Sequence, residues 1–221
     1  MTNGILTKTK ILYAGETTGD TAYLDTLRVF ATFAVIMIHV FSPINLYFRD
    51  SLTDTEAYIC VVLKNLWQWC VPVFVMITGV LFLNPEKEIT LKKILKRHVL
   101  RIVAAIILFG TPYSFMEISF NANMSFNIRQ IGIAALNAIQ GKSWDSLWYL
   151  YMIAGIYLCV PLMRVFVVNA SKRIVGYMLA ILFVFTSLIP SLESILPYKF
   201  GIYIPINSVY LFYLLLGYYM H

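Results

Sequence analysis

Charge is scarce in this chain. Only 13% of its 221 residues are Asp, Glu, Lys or Arg, and 60% are hydrophobic, with a mean hydropathy of +0.76. A soluble domain carries about a quarter charged residues, so the composition excludes one. Cysteine is scarcer still. Cys60, Cys70 and Cys159 lie in or beside apolar runs, at spacings that fit neither a disulfide framework nor a metal site. They read as small packing residues. The opening MTNGILTKTKILYAGETTGD lacks the apolar core and nearby small-residue cleavage site of a secretory signal. It reads as a polar cytoplasmic lead-in, residues 1–22. A Walker loop, a dinucleotide-binding glycine fingerprint, a zinc motif and a Gly-x-Ser-x-Gly elbow are all missing, which leaves soluble-enzyme classes without a foothold.

What the chain does have is long apolar runs. A membrane-crossing helix needs about 20 such residues. The sequence predicts about six spans, near 27–47, 61–83, 99–118, 147–168, 173–190 and 203–220. Pro72 and Gly79 are expected to kink the second, and Pro205 and Asn207 interrupt the start of the last. The fold class is therefore all-α, a polytopic transmembrane helix bundle. The 15 Tyr, 15 Phe and 4 Trp suit interface belts and packed helices.

The net charge of +6 is explained by membrane orientation rather than by nucleic acid. One side receives Lys8, Lys10, Arg28, Lys87, Lys92, Lys93, Lys96, Arg97, Arg101, Arg164, Lys172 and Arg173. The other receives only Arg49, Lys64, Arg129, Lys142 and Lys199. The positive-inside rule then places the N-terminus in the cytoplasm. Residues 84–98 form a basic cytoplasmic linker. Residues 119–146 form the longest outer loop, in which 128–139 is expected to be an amphipathic helix lying on the membrane.

One pairing stands out within the first span. Arg28 and His39 are separated by ten residues of LRVFATFAVIMIHVF. A helix turns about 100° per residue, so eleven steps return His39 to within about 20° of Arg28. The imidazole then lies roughly 16 Å further along the same face. Asp25, Thr32 and Ser42 fall on that stripe. A polar stripe on a membrane helix belongs against protein or a wet cavity, and ionisable groups there are functional candidates. The plain alternative is a histidine satisfied by a neighbouring carbonyl, with an arginine snorkelling to the interface.

At these residues the chain resembles the acyltransferase 3 family of membrane O-acyltransferases, which opens with an Arg, ten residues and a His. Three further stretches are similar to the family: VPVFVMITGVLFL (71–83), LKKILKRHVLRI (91–102) and LWYLYMIAGIYLCVPLMR (147–164). The resemblance covers residues 23–221 and implies a unit of about ten helices. The expectation is therefore an incomplete, N-terminal part of such a unit, either truncated or a naturally short relative. The resemblance also implies the plasma membrane of a bacterium.

His39 is the first catalytic candidate. An imidazole titrates near 6.5, so it can accept a hydroxyl proton at physiological pH. The resemblance implies an essential His here, acting as a general base or carrying the acyl group. Arg97 and Arg101 share a helix face at the start of the third span, and Arg28 is expected at the same membrane level. Three guanidinium forks suit the phosphates of coenzyme A, and ordinary lipid anchoring is the alternative. Glu117 closes the third span on the outer side, where it can orient an imidazole, hold an acceptor hydroxyl or simply be solvated. Tyr113 and Ser114 are expected to add hydroxyls beside it. Trp148, Tyr149 and Tyr151 read first as an aromatic belt.

Together these imply transfer of an acyl group, acetyl above all, from cytoplasmic acetyl-CoA to a hydroxyl of a cell-envelope glycan, lipid-linked sugar or similar acceptor. No metal and no nucleic acid enter that reaction, and the lipid bilayer is the standing partner. Two rival readings follow from the same resemblance. One is a transport or binding domain of the kind fused to membrane-bound serine racemases, supplying serine. The other is an inactive fragment that keeps only its helix packing.

Overall fold

The computed structural model describes residues 22–87, 89–121, 127–143, 147–195 and 209–221, and every regular element among them is helical. Helix α1 is Ala22–Tyr47. A short 3₁₀ turn, Arg49–Ser51, leads to α2 (Asp54–Leu66), and α3 (Cys70–Leu83) follows the turn at 67–69. Helix α4 (91–121) joins Leu91–Lys93, a π-helical stretch Ile94–Val99 and Leu100–Asn121. Helices α5 (Ile128–Ile139) and α6 (Trp148–Asn169) come next. Helix α7 (Lys172–Ile195) carries a second π-helical stretch, Val184–Leu188, and α8 is Val209–Met220.

Five described stretches are long and apolar enough to cross a membrane: Ala22–Ile44, Asp54–Leu83, Leu91–Phe120, Trp148–Asn169 and Lys172–Ile195. The chain is a multi-pass membrane protein with an all-α fold. Of the sixth expected span, 203–220, the described residues hold the 12 of α8. Pro205 and Asn207, at its expected start, lie outside the described residues, as do residues 1–21 of the polar lead-in.

The chain divides into two compact units, residues 1–78 and 79–221. In the first unit α1 buries Leu24, Ala31 and Ala34. The two alanines pack with Cys70, flanked by Val35, Ile38, Trp67, Val71 and Phe74. Small side chains let helix backbones approach closely where lipid gives no hydrophobic drive to associate. Cys70 is thus the packing residue its neighbours suggest. Phe33 closes the contact edge-on to Trp67 at 5.6 Å. The outward residues Val29, Phe30, Ile36 and Val40 are exposed, as suits a helix in lipid. Helix α2 starts on a capping box. Thr53 accepts from the Glu56 amide at 3.3 Å, and Glu56 accepts from the Thr53 amide at 2.9 Å.

In the second unit α4 and α5 form an antiparallel hairpin. The helix at 128–139, expected to lie on the membrane, packs along α4. The cause is its small face: Ala134 and Ala138 are fully buried, and Ala138 sits where a side chain at Gly110 would meet it. Its large apolar residues Ile128, Ile131, Ile133, Leu136 and Ile139 are exposed. Asn127 and Gln130 cap its start reciprocally. Gly141 ends it with φ +73°, and Lys142 donates back to the Asn137 carbonyl at 2.9 Å. That left-handed glycine turns the chain toward α6.

Helices α3 and α8 touch backbone to backbone. A Cβ on Gly79 would stand 1.9 Å from the Leu214 carbonyl oxygen, so only glycine fits. One end of this unit gathers cations. Arg164 binds the chain after α3, His98 at the base of α4 packs on α6, and Lys172 lies over the Tyr219 ring at 5.3 Å. Lys93, Lys96 and Arg97 belong to the same base of α4. At the far end Trp148 meets Tyr210 at 6.3 Å, an aromatic pairing suited to a membrane interface.

Candidate functional site

Helix α1 carries Arg28 and His39 without a break between them. Leu24, Ala31 and Ala34 occupy its buried face, and the polar stripe runs along the flank of that face. Arg28 is half-buried and donates to Asp25 at 2.5 Å, one turn earlier on the same stripe. Thr32 returns its hydroxyl to the Arg28 carbonyl at 2.7 Å, which spares the helix an unsatisfied hydroxyl. His39 is exposed and makes no hydrogen bond among the described residues. The alternative of a histidine satisfied by a neighbouring carbonyl is therefore not what the described residues hold. Its imidazole is open to a proton transfer.

Arg97, Arg101 and Glu117 belong to the second unit. Arg97 lies in the π-helical stretch at the base of α4, where i→i+5 bonding widens the turn, a feature frequent at functional sites. Arg101 follows in the α-helical part. Both arginines are exposed and hold no carboxylate among the described residues, so both forks are open to an anion. Glu117 is exposed near the other end of α4, likewise with no hydrogen bond among the described residues.

The neighbours of Glu117 differ from expectation. Ser114 is 1% exposed, and its hydroxyl accepts from Asn137 at 3.2 Å across the α4–α5 hairpin. It is structural glue, while Tyr113 stays exposed. Ser143 donates to the Gly110 carbonyl at 2.8 Å, and Tyr151 donates to the Ala138 carbonyl. Tyr151 is thus a buttress of the hairpin more than a belt residue. These bonds were hidden in the sequence because their partners lie 13 to 33 residues apart.

The residue whose role sequence reasoning missed is Arg164. It counts toward the positive-inside tally, yet its guanidinium is spent on backbone. It donates to the carbonyls of Phe82, Asn84 and Lys87 at 2.6, 3.0 and 2.6 Å. A cleft of about 450 Å³ opens beside this end, lined by Asn84, Glu86, Lys172, Tyr218, Tyr219 and His221 among others. It contains none of the expected site residues, so it is not the candidate centre.

Among the described residues, the first unit holds an open His and an Arg on one flank of α1, and the second unit holds two open guanidiniums at the base of α4. The acyltransferase 3 family model, described as an acyltransferase domain, matches residues 21–221. The chain belongs to the acyltransferase 3 family. No curated protein and no solved structure matches it. The acyltransferase 3 match begins at the start of α1 and leaves out the polar lead-in. It takes in Arg28, His39, Arg97, Arg101 and Glu117 alike. As a class, then, this is a membrane acyltransferase.

Proposed function

We propose that this acyltransferase 3 protein transfers an acyl group, acetyl above all, from cytoplasmic acyl-CoA to a hydroxyl of a cell-envelope glycan or lipid-linked sugar. The observation that carries the reading is the open imidazole of His39 on the Arg28 stripe of α1. An unpaired His on a span is costly to retain in lipid and useful for moving a proton or an acyl group.

Arg97 and Arg101 hold phosphates of the donor, each fork matching two phosphate oxygens. His39 then acts by one of two routes. As a base it takes the acceptor hydroxyl proton while the oxygen attacks the thioester carbonyl. The C–O bond forms, the C–S bond breaks, and the proton passes to the departing thiolate. As a carrier its ring nitrogen attacks the thioester first, releasing the thiol, and the acyl-imidazole then passes its acyl group to the acceptor oxygen. The second route takes the acyl group along the stripe from donor side to acceptor side. Glu117, at the opposite end of α4 from Arg97, holds or orients the acceptor hydroxyl. The cation-rich end faces the cytoplasm, in keeping with the positive-inside rule.

The test is to supply acetyl-labelled acetyl-CoA to membranes containing the protein and follow the label. Label in envelope glycan, released by hydroxylamine as an ester, is the expected result. Label only in amides, or none beyond membranes without the protein, would remove the O-acyl reading.

A further inference from the structure

We infer that Arg164 is a positioning residue for the donor site: it clamps the linker between α3 and α4 and thereby sets the place of Arg97 and Arg101. The inference rests on the acyl-CoA reading for the role of those two arginines.

Helix α3 ends at Leu83, and the carbonyls of its last turn have no partners within the helix. Asn84 then starts a turn, its side chain accepting from the Glu86 amide at 2.9 Å. Arg164 reaches both features. One guanidinium nitrogen takes the Phe82 and Asn84 carbonyls, and the other takes the Lys87 carbonyl. A cation at a helix C-terminus is favoured, and a planar fork fits several carbonyls where a lysine ammonium has one centre. No carboxylate pairs with Arg164 among the described residues, so its charge is used on main chain.

The far end of the linker is held by the same face of α6. Tyr157 lies seven residues before Arg164, two helical turns away. Its ring stacks on His98 at 5.3 Å, and Phe82 meets both rings edge-on, at 4.9 Å from His98 and 5.0 Å from Tyr157. One stripe of α6 therefore grips the linker where it leaves α3 and where it enters α4. His98 is the residue next to Arg97 and three before Arg101. The stretch read from the sequence as a basic cytoplasmic linker is pinned at both ends, and the two arginines stand directly on one of the pins.

The experiment compares the wild-type protein with Arg164→Lys, Arg164→Gln and Tyr157→Leu. Arg173→Gln serves as control, since it removes an exposed charge from the same end without touching the linker. Two quantities are read: acetyl-CoA dissociation constant at fixed salt, and amide hydrogen exchange over residues 84–98. In both Arg164 variants we expect faster linker exchange and a dissociation constant raised by about tenfold, the scale of one lost charge-assisted contact. Lysine does not rescue, and Arg173→Gln matches wild type. KM for acetyl-CoA rises while kcat holds, a split that general loss of folded protein does not produce. Tyr157→Leu opens the other pin without a change of charge and gives the same shift, so the test survives if Arg164 variants insert poorly. A loosened linker with unchanged affinity would overturn the inference, as would an unchanged linker. A loosened linker in a protein whose wild type binds no acetyl-CoA would instead overturn the acyl-CoA reading and strip the clamp of its donor role.

Discussion

His39 and the three arginines differ in what the structure asks of them. In the Arg28–Asp25 pair the Asp25 side chain is 71% exposed and the half-buried Arg28 side chain 41%. Such a pair is worth about 0–1 kcal/mol, so a phosphate displaces Asp25 at little cost. Arg97 and Arg101 need no displacement at all. If these groups grip the donor, replacing each by Ala weakens acetyl-CoA binding, and Lys restores only part of it because an ammonium lacks the bidentate fork. Binding measured in one detergent at fixed salt checks this, since salt screens such contacts. Unchanged affinity in all three Ala variants reduces them to lipid anchors. The sequence showed these residues because each announces itself locally: a His and an Arg eleven steps apart on an apolar run, two Arg four apart at a span's start. Arg164 did not announce its role, because its partners are carbonyls about 80 residues away and a carbonyl has no letter in the sequence.

Among the elements, glycine separates contact from propensity. Gly79 lies against the Leu214 carbonyl, whereas Gly155, inside α6, faces open space. Gly79→Ala forces α3 and α8 apart and costs about 1–3 kcal/mol or more, the range for overpacking. Gly155→Ala stabilises α6 by up to about 1 kcal/mol, the helix propensity difference. Thermal unfolding of both variants in the same detergent checks the contrast, and equal behaviour would deny the α3–α8 contact. Apolar length made the spans legible, and all five crossing helices fall on the expected runs. The helix at 128–139 was legible as a helix but not in its setting. Its apolar residues read as a membrane-lying face, and only the Ala134–Ala138 pair, with Gly110 opposite, discloses the hairpin.

For the molecule as a whole, orientation decides which side supplies the donor. The clustered cations of the second unit are expected in the cytoplasm and Lys142, beyond α5, outside. A cysteine at Lys142 should then react with a membrane-impermeant reagent in intact cells, and one at Glu86 should not. Both positions are exposed. Reversed labelling would move the donor site to the wrong side and end the acyl-CoA account.

The most direct measurement is acyl transfer from labelled acetyl-CoA by His39→Ala beside the wild type, in membranes matched for inserted protein. The account predicts a loss of at least the roughly 10²–10⁴-fold typical of a general base, with insertion unchanged. The loss exceeds that range if the imidazole also carries the acyl group. Turnover by His39→Ala close to wild type would contradict the account at its centre.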